Sequence, residues 1–561
     1  MTGDLDAEQP LRVVIVGGVA GGMSVATRLR RLDESAEITV VERSGHVSYA
    51  NCGLPYFVGG VIEDEEDLLL QTPDRLFARF RLDVRVGTEV VAIDIAAHEV
   101  TVRATDHGVP STLAYDKLVL SPGATPVCPP IPGYDRVLGL RTIEDAERMA
   151  RDVIGTCRAA VVVGAGFVGL ETAENLARSG LAVTIVEAAE QVLTPLDPEL
   201  AILVQQELVA NGVAVVTGVA VTEVTDSEVR LADGRALPAD LVVGAIGVRP
   251  DTSLVRAAGL ALGPQGGIAV DEVNRTSAPD VYAVGDAVEK DDRVSGRKSL
   301  IALANIANRQ GRRVADHIAG RTVHPSPSLG TAIVKVFRLT AAVTGWNARR
   351  LASAGRDHRA VHSHPFSHAT YYPGAEPMAI KVLFDPDDGT ILGAQAVGRA
   401  GVDKRIDVLA TAMFAGVPGE RLADLELAYA PPFSAAKDPV NMLGYMIENI
   451  RSGECDVVEP DEVDELVRSG WTLLDVRSRA EHAAGAIPGS VNVPLDDLRG
   501  RLDEVGNEPL LVYCEVGQRG HTATTLLHEL GRDARNLDGG YRTWSAFEAA
   551  RAGNPAGAVA G

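Results

Sequence analysis

The sequence lacks several features that assign a chain to a broad class at once. It contains no run of about 18 apolar residues, the length that a membrane-spanning helix needs. The first residues, MTGDLDAEQPLR, lack the basic-then-apolar pattern of a secretion signal. Positive charge is also scarce, because 53 Lys and Arg stand against 76 Asp and Glu, for a formal net charge of −23. Nucleic acids and anionic membranes repel such a chain, so we expect a protein that binds neither. Because the secretion and membrane-spanning patterns are also missing, we expect it to be cytoplasmic.

Cysteine is scarce and odd in number, which predicts a reduced protein in which single thiols act alone. Cys52 lies in the turn-rich segment SYANCGLPYFVGG, and no second cysteine follows within seventy residues. Enzymes that pass electrons through a dithiol need a pair, so a reactive Cys52 must find its partner sulfur elsewhere. Three of the other thiols have no ligand or thiol nearby in sequence and are expected to be buried or incidental: Cys128, Cys157 and Cys455.

A metal site is not indicated either. The run DHRAVHSHPFSH carries four histidines, but no Cys or Asp joins them at ligand spacing. The run therefore predicts a polar strand and loop that holds His358, His362, His364 and His368.

The sequence does contain two dinucleotide-binding patterns. The first, LRVVIVGGVAGGMSVATRLRRLDESAEITVVER, predicts a strand, a glycine-rich turn, a helix and a second strand. Val19 occupies the second glycine position of the usual G-x-G-x-x-G pattern. Glu42 ends the second strand, 20 residues after Gly22, where a carboxylate can hold a ribose hydroxyl.

The second pattern, AAVVVGAGFVGLETAENLARSGLAVTIVE, is complete. Gly164, Gly166 and Gly169 permit a tight turn and the close approach of a pyrophosphate to a helix N-terminus. Glu187 ends the following strand, where it would accept a hydrogen bond from a ribose 2′-hydroxyl and repel a 2′-phosphate. The sequence therefore predicts NADH rather than NADPH.

Two further segments suggest a flavin. TSAPDVYAVGDAV places Asp286 after a short apolar strand and a glycine, and KLVLSPGATP (117–126) supplies another strand and turn. With the two glycine patterns, these pieces resemble the FAD- and NAD(P)H-dependent disulfide reductase superfamily over residues 11–447. The resemblance implies a nicotinamide domain inserted into the flavin domain, and a C-terminal domain that builds a homodimer.

The expected cofactors are thus FAD and NADH. Their predicted binding residues are Gly17, Val19, Ala20, Gly21, Gly22, Glu42, Arg43, Gly123, Gly164, Gly166, Gly169, Glu187, Gly285 and Asp286. The expected fold is α/β, with two Rossmann-like domains, an α+β dimerisation domain and a C-terminal α/β domain. The expected boundaries are 1–150 and 271–330 for FAD binding, 151–270 for NAD(P)H binding, 331–447 for dimerisation, 448–456 for a linker and 457–553 for the last domain.

The lone Cys52 resembles the single-cysteine branch of this superfamily. That branch includes coenzyme A-disulfide reductases, persulfide or polysulfide reductases, and NADH oxidases and peroxidases. In the first two groups the cysteine would form a mixed disulfide with CoA or attack a persulfide, whereas in the last it would cycle through a sulfenic acid. The oxidases and peroxidases typically carry a histidine where this chain has Ala20, so disulfide or persulfide chemistry is favoured.

SYANCGLPY closely resembles the active-site segment of the CoA-disulfide reductases. Three residues of the first helix, Ser24, Arg28 and Arg31, are spaced to share one face, where two arginines would suit the CoA phosphates. The resemblance implies a CoA site lined by Ser24, Arg28, Arg31, Ser48, Asn51, Asn308 and Lys437. It also implies that Tyr371 and Tyr429 reach across the dimer toward the cysteine and flavin, where a phenol can protonate a leaving thiolate.

The segment 457–553 resembles a rhodanese domain, with LLDVR and GAIPGSVNVP in the expected order. The strand Leu510–Tyr513 would deliver Cys514 into a loop that ends in a helix beginning at His521, and loop N–H groups would lower the thiol pKa. Four residues separate Cys514 from Arg519, which fits a sulfurtransferase better than the five-residue loop of related phosphatases.

The sequence therefore predicts a flavoenzyme that uses NADH to reduce CoA persulfide, polysulfide or CoA disulfide at Cys52, while Cys514 handles sulfane sulfur. Two alternatives remain open. The chain could be an NADH oxidase or peroxidase, or a sulfur carrier with a redox-sensing flavin domain.

Overall fold

The structure, a computed structural model, describes residues 9–153 and 155–553. The first eight residues of the expected FAD-binding domain lie outside the described residues. The chain divides into two compact units. The first unit runs up to Gly164 and includes 171–183 and 221–330, and the second comprises 165–170, 184–220 and the chain from 331 onward.

A parallel sheet of five strands forms the centre of the first unit. Its first strand, RVVIV, places Val13 and Ile15 in a fully buried core, as expected for a strand covered on both faces. In spatial order the strands are Val281–Ala283, Lys117–Leu120, Arg12–Val16, Glu37–Val41 and Asp83–Arg85.

Two long helices of this unit pack closely on each other. They are Ala20–Arg30, directly after the first strand, and Ala304–Ile318. A Cβ at Gly311 would lie 2.5 Å from the carbonyl oxygen of Gly21, so a side chain cannot fit there. The close approach brings the polar face of the first helix against the second helix.

The remaining elements of the first unit are short. Its other strands are Thr88–Asp94, Glu99–Ala104 and Ser111–Ala114; Ala124–Pro126 and Val248–Pro250; Ala159–Val163 and Leu241–Gly244; Val221–Val224, Glu228–Leu231 and Ala236–Pro238; and Glu289–Asp291 and Lys298–Leu300. Its other helices are Leu54–Val58, Pro73–Phe80, Ile143–Val153 and Ser253–Ala257, with a 3-10 turn at Asn51–Gly53. The helix Phe167–Arg178 and the strand Ala182–Val186 belong to both units.

The second unit contains an antiparallel sheet of five strands. In spatial order these are Ala332–Val336, Leu339–Gly345, Ile391–Gly398, Met378–Phe384 and Arg359–Ser363. The strands Met378–Phe384 and Ile391–Gly398 are buried along their whole length. The helices of this part are Pro198–Ala210, Ala348–Ser353, Val402–Ala415 and Pro439–Arg451, and the strand Ala214–Val216 pairs with residues 184–186.

The same unit ends in a second parallel sheet of five strands. In spatial order these are Val457–Val458, Ala534–Leu537, Leu510–Tyr513, Thr472–Asp475 and Val491–Asn492. The helices around this sheet are Val463–Arg468, Arg479–Ala484, Leu495–Leu498, Gln518–Glu529 and Gly540–Arg551.

The expected α/β fold class is confirmed, and two local details differ from expectation. Residues 448–451 of the expected linker complete the helix Pro439–Arg451. The helix after Cys514 begins at Gln518 rather than His521, because Gly517 has φ +90° and starts it early. In the described chain, no helix has both the length and the apolar character needed to cross a membrane.

Candidate active site

The first glycine loop packs closely against Ser121. A Cβ at Gly17 would lie 2.1 Å from the carbonyl oxygen of Ser121, and one at Gly21 would lie 2.9 Å from its Oγ. The same Oγ is 3.5 Å from the Cβ position of Gly285. The first glycine loop, the segment 117–126 and the stretch around Gly285 were each linked to the flavin by sequence, and all three meet at Ser121. The sequence analysis did not single out this serine.

The two predicted ribose-binding glutamates have the same local geometry. Glu42 accepts from the N–H of Gly18 at 2.7 Å with one oxygen and from Ser44 at 2.8 Å with the other. Glu187 accepts from Ala165 at 2.7 Å and from Ala189 at 2.8 Å in the same way. Each carboxylate oxygen keeps a lone pair for a ribose hydroxyl. The two glycine loops are therefore built alike, as two dinucleotide sites require.

The second glycine loop has room for a pyrophosphate. Gly164 has φ +106°, and a Cβ there would lie 2.4 Å from the carbonyl oxygen of Ala245, so glycine is required. A Cβ at Gly166, by contrast, would meet nothing within 4 Å. Gly169 lies in the helix Phe167–Arg178 that follows the loop. The open space at Gly166 fits a bound phosphate group.

Asp286 follows the strand Val281–Ala283 and is partly buried. Burial raises the pKa of its carboxyl, and the charges of Lys290 and Arg141 act in the opposite direction. Burial lowers the pKa of Lys290 to about 8, and its Nζ donates to the carbonyl oxygen of Gly285 at 2.7 Å. A partly buried carboxyl beside Gly285 fits the expected hydrogen bond to a flavin. Of the remaining predicted residues, Gly123 has φ +71° and Arg43 is exposed.

Cys52 is exposed and is tied to the first glycine loop. It lies in the 3-10 turn Asn51–Gly53, four residues after Ser48, whose N–H donates to the carbonyl oxygen of Gly18 at 2.8 Å. Ser48 has φ +49°, a strained conformation for a residue with a side chain. Cys52 therefore lies four residues from a backbone contact with the first glycine loop, and its reactivity stays a prediction.

Two acidic side chains act electrostatically on the Cys52 thiol. Partial burial raises its pKa, and the negative charges of Glu171 and Asp286 raise it further. Tyr56 donates to a carboxylate oxygen of Glu171 at 3.0 Å, and burial raises the pKa of both groups. The sequence reasoning missed Glu171 and Tyr56, because Glu171 lies inside the second glycine pattern and was assigned no role of its own.

The predicted CoA-binding face is only partly available for phosphates. Ser24 donates from Oγ to Asn308 Oδ1 at 2.7 Å, so two of its predicted residues do meet. Arg28, however, pairs with Asp316 at 2.6 Å, where both side chains are 17% exposed. Arg31 remains exposed, with its guanidinium 5.4 Å from the ring centre of Phe80. One of the two expected cations is therefore already neutralised.

Two tyrosines of the second unit form a pair at its surface. The hydroxyls of Tyr371 and Tyr429 are 2.7 Å apart, and the side chains are 74% and 47% exposed. The hydrogen bond between the two hydroxyls raises the pKa of Tyr371. Phe433 is exposed nearby in sequence, as is Lys437. Exposed aromatic rings of this kind are typical of a surface that a partner covers.

Cys514 ends the strand Leu510–Tyr513 and is fully buried. Tyr541 donates from its N–H to the Cys514 carbonyl oxygen at 2.8 Å. In the described chain, the N–H groups of Glu515, Val516 and Gly517 donate to no protein acceptor. The loop that follows Cys514 therefore carries N–H groups that are available to an anion, as in an anion-binding loop.

Arg519 closes this loop. Its guanidinium forms a two-pronged pair with Glu481, at 2.9 and 2.6 Å. This pair lowers the pKa of the Glu481 carboxyl to about 2. Two-pronged arginine–carboxylate pairs hold geometry more strictly than single contacts. The pair thus fixes the far end of the Cys514 loop, and Glu481 was not anticipated from the sequence.

Comparison with known proteins assigns these parts to families. Residues 11–311 match the model "Pyridine nucleotide-disulphide oxidoreductase", and residues 331–439 match the dimerisation domain of the same name. The chain belongs to the pyridine nucleotide-disulphide oxidoreductase family. Residues 459–547 match "Rhodanese-like domain", so a rhodanese-like module follows the oxidoreductase.

Individual members of the family are similar over most of their length. Coenzyme A disulfide reductase of Staphylococcus haemolyticus is 34% identical over 443 residues, which cover 78% of this chain and all of that protein. The crystal structure of reduced Bacillus anthracis CoADR-RHD is 45% identical, with a TM-score of 0.94 over 96% of this chain and 98% of that one. An NAD-dependent persulfide reductase from A. fulgidus is 36% identical, with a TM-score of 0.90 over 95% of this chain and all of that one.

These likenesses confirm the resemblance stated from the sequence, in both the oxidoreductase and the rhodanese-like parts. Membership in the family implies FAD and a pyridine nucleotide as cofactors. The dimerisation domain suggests that this oxidoreductase is a homodimer. The individual site residues and domain boundaries remain predictions.

Proposed function

We propose that this oxidoreductase uses NADH to reduce CoA persulfide, polysulfide or CoA disulfide through the single thiol of Cys52, and that Cys514 carries sulfane sulfur. The observation that carries the proposal is one exposed cysteine in the segment that contacts the first glycine loop, with no second cysteine beside it in the described chain. The partner sulfur then arrives on the substrate. Relatives named for CoA disulfide and persulfide reduction support this choice.

The Cys52 thiolate would attack the inner sulfur of CoA persulfide. A Cys52–S–S–CoA disulfide would form and hydrosulfide would leave, whereas CoA disulfide would release a CoA thiolate instead. When bound, FAD and NADH supply the two electrons that return this disulfide to two thiols. FAD would be held by the first glycine loop with Glu42 and Asp286, and NADH by Gly164, Gly166 and Glu187.

Cofactor and substrate selection follow from charge. Glu187 would accept from the 2′-hydroxyl of NADH and repel the additional phosphate of NADPH. Arg31 and Lys437 are exposed cations suited to CoA phosphates, whereas Arg28 serves this purpose only if its pair with Asp316 opens. We further propose a cytoplasmic homodimer in which Tyr371 and Tyr429 of one subunit reach the other subunit's cysteine.

The proposal is tested by anaerobic NADH consumption with CoA persulfide, polysulfide, CoA disulfide and hydrogen peroxide. Cys52→Ser is expected to abolish turnover with every sulfur substrate, and Cys514→Ala to slow only persulfide or polysulfide reduction. Cys128→Ser, which removes another exposed thiol, is the matched control and should behave as wild type.

The outcomes separate the alternatives. If CoA disulfide is fastest and Cys514→Ala changes nothing, the rhodanese-like module works independently of the reductase. Fastest turnover with peroxide would instead favour the oxidase or peroxidase alternative. Flavin that NADH does not reduce would favour a sulfur carrier with a sensing flavin domain.

A further inference from the structure

A buried cluster of charged side chains lies inside the second unit. Its centre is His362, on the strand Arg359–Ser363, and its side chain is 4% exposed. The Nδ1 atom of His362 is 2.6 Å from Asp538 Oδ2, and its backbone N–H donates to Asp538 Oδ1 at 3.0 Å. Its Nε2 atom is 3.0 Å from Glu199 Oε1. One histidine therefore joins a carboxylate of the helix Pro198–Ala210 to a carboxylate of the rhodanese-like module.

A lysine completes the cluster. Lys381 Nζ is 2.7 Å from Glu199 Oε1 and 2.9 Å from Asp197 Oδ2, and Gln395 donates to the same Asp197 oxygen at 2.7 Å. We call Asp197, Glu199, His362, Lys381 and Asp538 the charge cluster. It holds three carboxylates and one lysine, so a protonated His362 brings it closer to neutrality. Every member is less than 9% exposed, which makes each pairing costly to break.

The cluster continues directly into the wall of the Cys514 loop. Asp538 follows the strand Ala534–Leu537, and Gly540 comes two residues later with φ +63°. A Cβ at Gly540 would lie 2.4 Å from the Cys514 carbonyl oxygen and less than 3 Å from the N–H nitrogens of Val516 and Gly517. The segment 538–543 therefore contacts the loop that follows Cys514 and lies beside its N–H groups.

A second histidine of the same strand region holds this segment at its other end. His364 Nε2 is 2.7 Å from Thr543 Oγ1, and Thr543 Oγ1 in turn donates to the carbonyl oxygen of Gly539 at 3.2 Å. Burial lowers the pKa of His364 to about 3, so this contact is made by a neutral ring. The segment 538–543 is thus fixed at two points by residues about 175 positions earlier in the chain.

From this geometry we propose that His362 and His364 are positioning residues for the rhodanese-like site: they hold the segment 538–543, which sets the arrangement of N–H groups around Cys514. Sulfur transfer at Cys514 then depends on the dimerisation domain and not on the rhodanese-like module alone. This inference rests on the proposed role of Cys514 as a sulfur carrier. It gives a role to two histidines that the sequence predicted only to lie in a polar strand and loop, of which His362 is buried and His364 is half-buried.

The test compares full-length His362→Gln and Asp538→Asn with wild type in sulfur transfer from thiosulfate to cyanide. In this reaction the Cys514 thiolate takes the outer sulfur of thiosulfate and releases sulfite, and cyanide then removes that sulfur as thiocyanate. Each variant is expected to lower kcat by about tenfold or more, with a much smaller change in the KM for thiosulfate, because a small displacement of reacting groups is costly. His358→Gln and Asp461→Asn are matched controls outside the cluster and should retain wild-type rates.

A second readout separates positioning from general destabilisation. The rate of Cys514 alkylation by iodoacetamide, followed by mass spectrometry of its peptide, is measured against pH in protein that remains folded. The profile should differ from that of wild type in both variants, because a displaced segment 538–543 would move the loop that holds the Cys514 thiol. The milder Thr543→Val, which removes only the contact with His364, should shift it in the same direction by a smaller amount.

The double variant His362→Gln with Asp538→Asn provides the final check. Each single change leaves a buried charge without its partner, so the double variant should be less impaired than the two single effects combined. Folded variants with wild-type kcat and an unchanged alkylation profile would overturn the inference. If wild type itself transfers no sulfur, the proposed role of Cys514 fails, and the alkylation profiles still decide whether the histidines position the loop.

Discussion

The charge of His362 is expected to make the stability of the second unit depend on pH. Burial alone would lower the pKa of this ring, but the charge and hydrogen bond of Asp538, together with Glu199, raise it to about 9. An ordinary histidine has a pKa of about 6.5. The pKa of His362 is thus higher in the folded protein than in the unfolded chain. The protonated ring therefore stabilises the folded protein fully below pH 6.5, and this stabilisation is lost as the pH rises through 9.

The size of this contribution follows from the same two values. Each tenfold change in proton affinity corresponds to about 1.4 kcal/mol, so the protonated ring stabilises the folded unit by about 3 kcal/mol at low pH. His362→Gln should destabilise by about this amount or somewhat more near pH 6.5, since breaking a buried charge pair costs about 3–5 kcal/mol. The difference between wild type and variant should shrink steadily toward pH 9.

Tryptophan fluorescence during urea unfolding provides the assay. The chain has three tryptophans, Trp346, Trp471 and Trp544, and all three lie in the second unit. Unfolding free energies would be measured for wild type, His362→Gln and the control His358→Gln between pH 6 and pH 9.5. The reasoning would be refuted if the unfolding free energies of wild type and His362→Gln differed by a constant amount over this pH range. A difference of less than about 1 kcal/mol at pH 6.5 would refute it as well.

Three further predictions concern the glycine loops and the ribose-binding carboxylate. Gly166→Val should raise the KM for NADH by about tenfold or more without changing the melting temperature, because the new side chain enters open space where a phosphate would lie. A wild-type KM for NADH in steady-state kinetics would contradict this. Glu187→Gln should raise kcat/KM for NADPH relative to NADH by about tenfold, since a repulsive charge is removed, and an unchanged ratio would argue against the proposed contact. Gly540→Ala should impair sulfur transfer at Cys514, because its Cβ would lie 2.4 Å from the Cys514 carbonyl oxygen and displace the loop, while flavin reduction by NADH stays intact. Sulfur transfer at the wild-type rate would show that glycine is not required at this position.

Local sequence patterns were enough to single out much of the candidate site. Glu42 and Glu187 were recognised by their distance from a glycine turn, and both carboxylates indeed accept from the backbone of those turns. Cys52 and Cys514 were recognised by the segments around them. Such features depend on residues within about thirty positions, where strand, turn and helix periodicities determine which side chains converge.

The parts that escaped prediction depend on contacts between distant segments. His362 was assigned to a polar strand and loop because its neighbours in sequence supply no partner, yet its partners Glu199 and Asp538 lie more than 160 positions away on either side. Arg28 looked like a free cation on a helix face until the second helix placed Asp316 against it. A charged side chain is stabilised in a protein interior only by its three-dimensional partners, so its burial cannot be inferred from spacing alone. The same dependence makes the charge cluster informative, because four separate segments must each supply a group before any one of these charged groups can be buried.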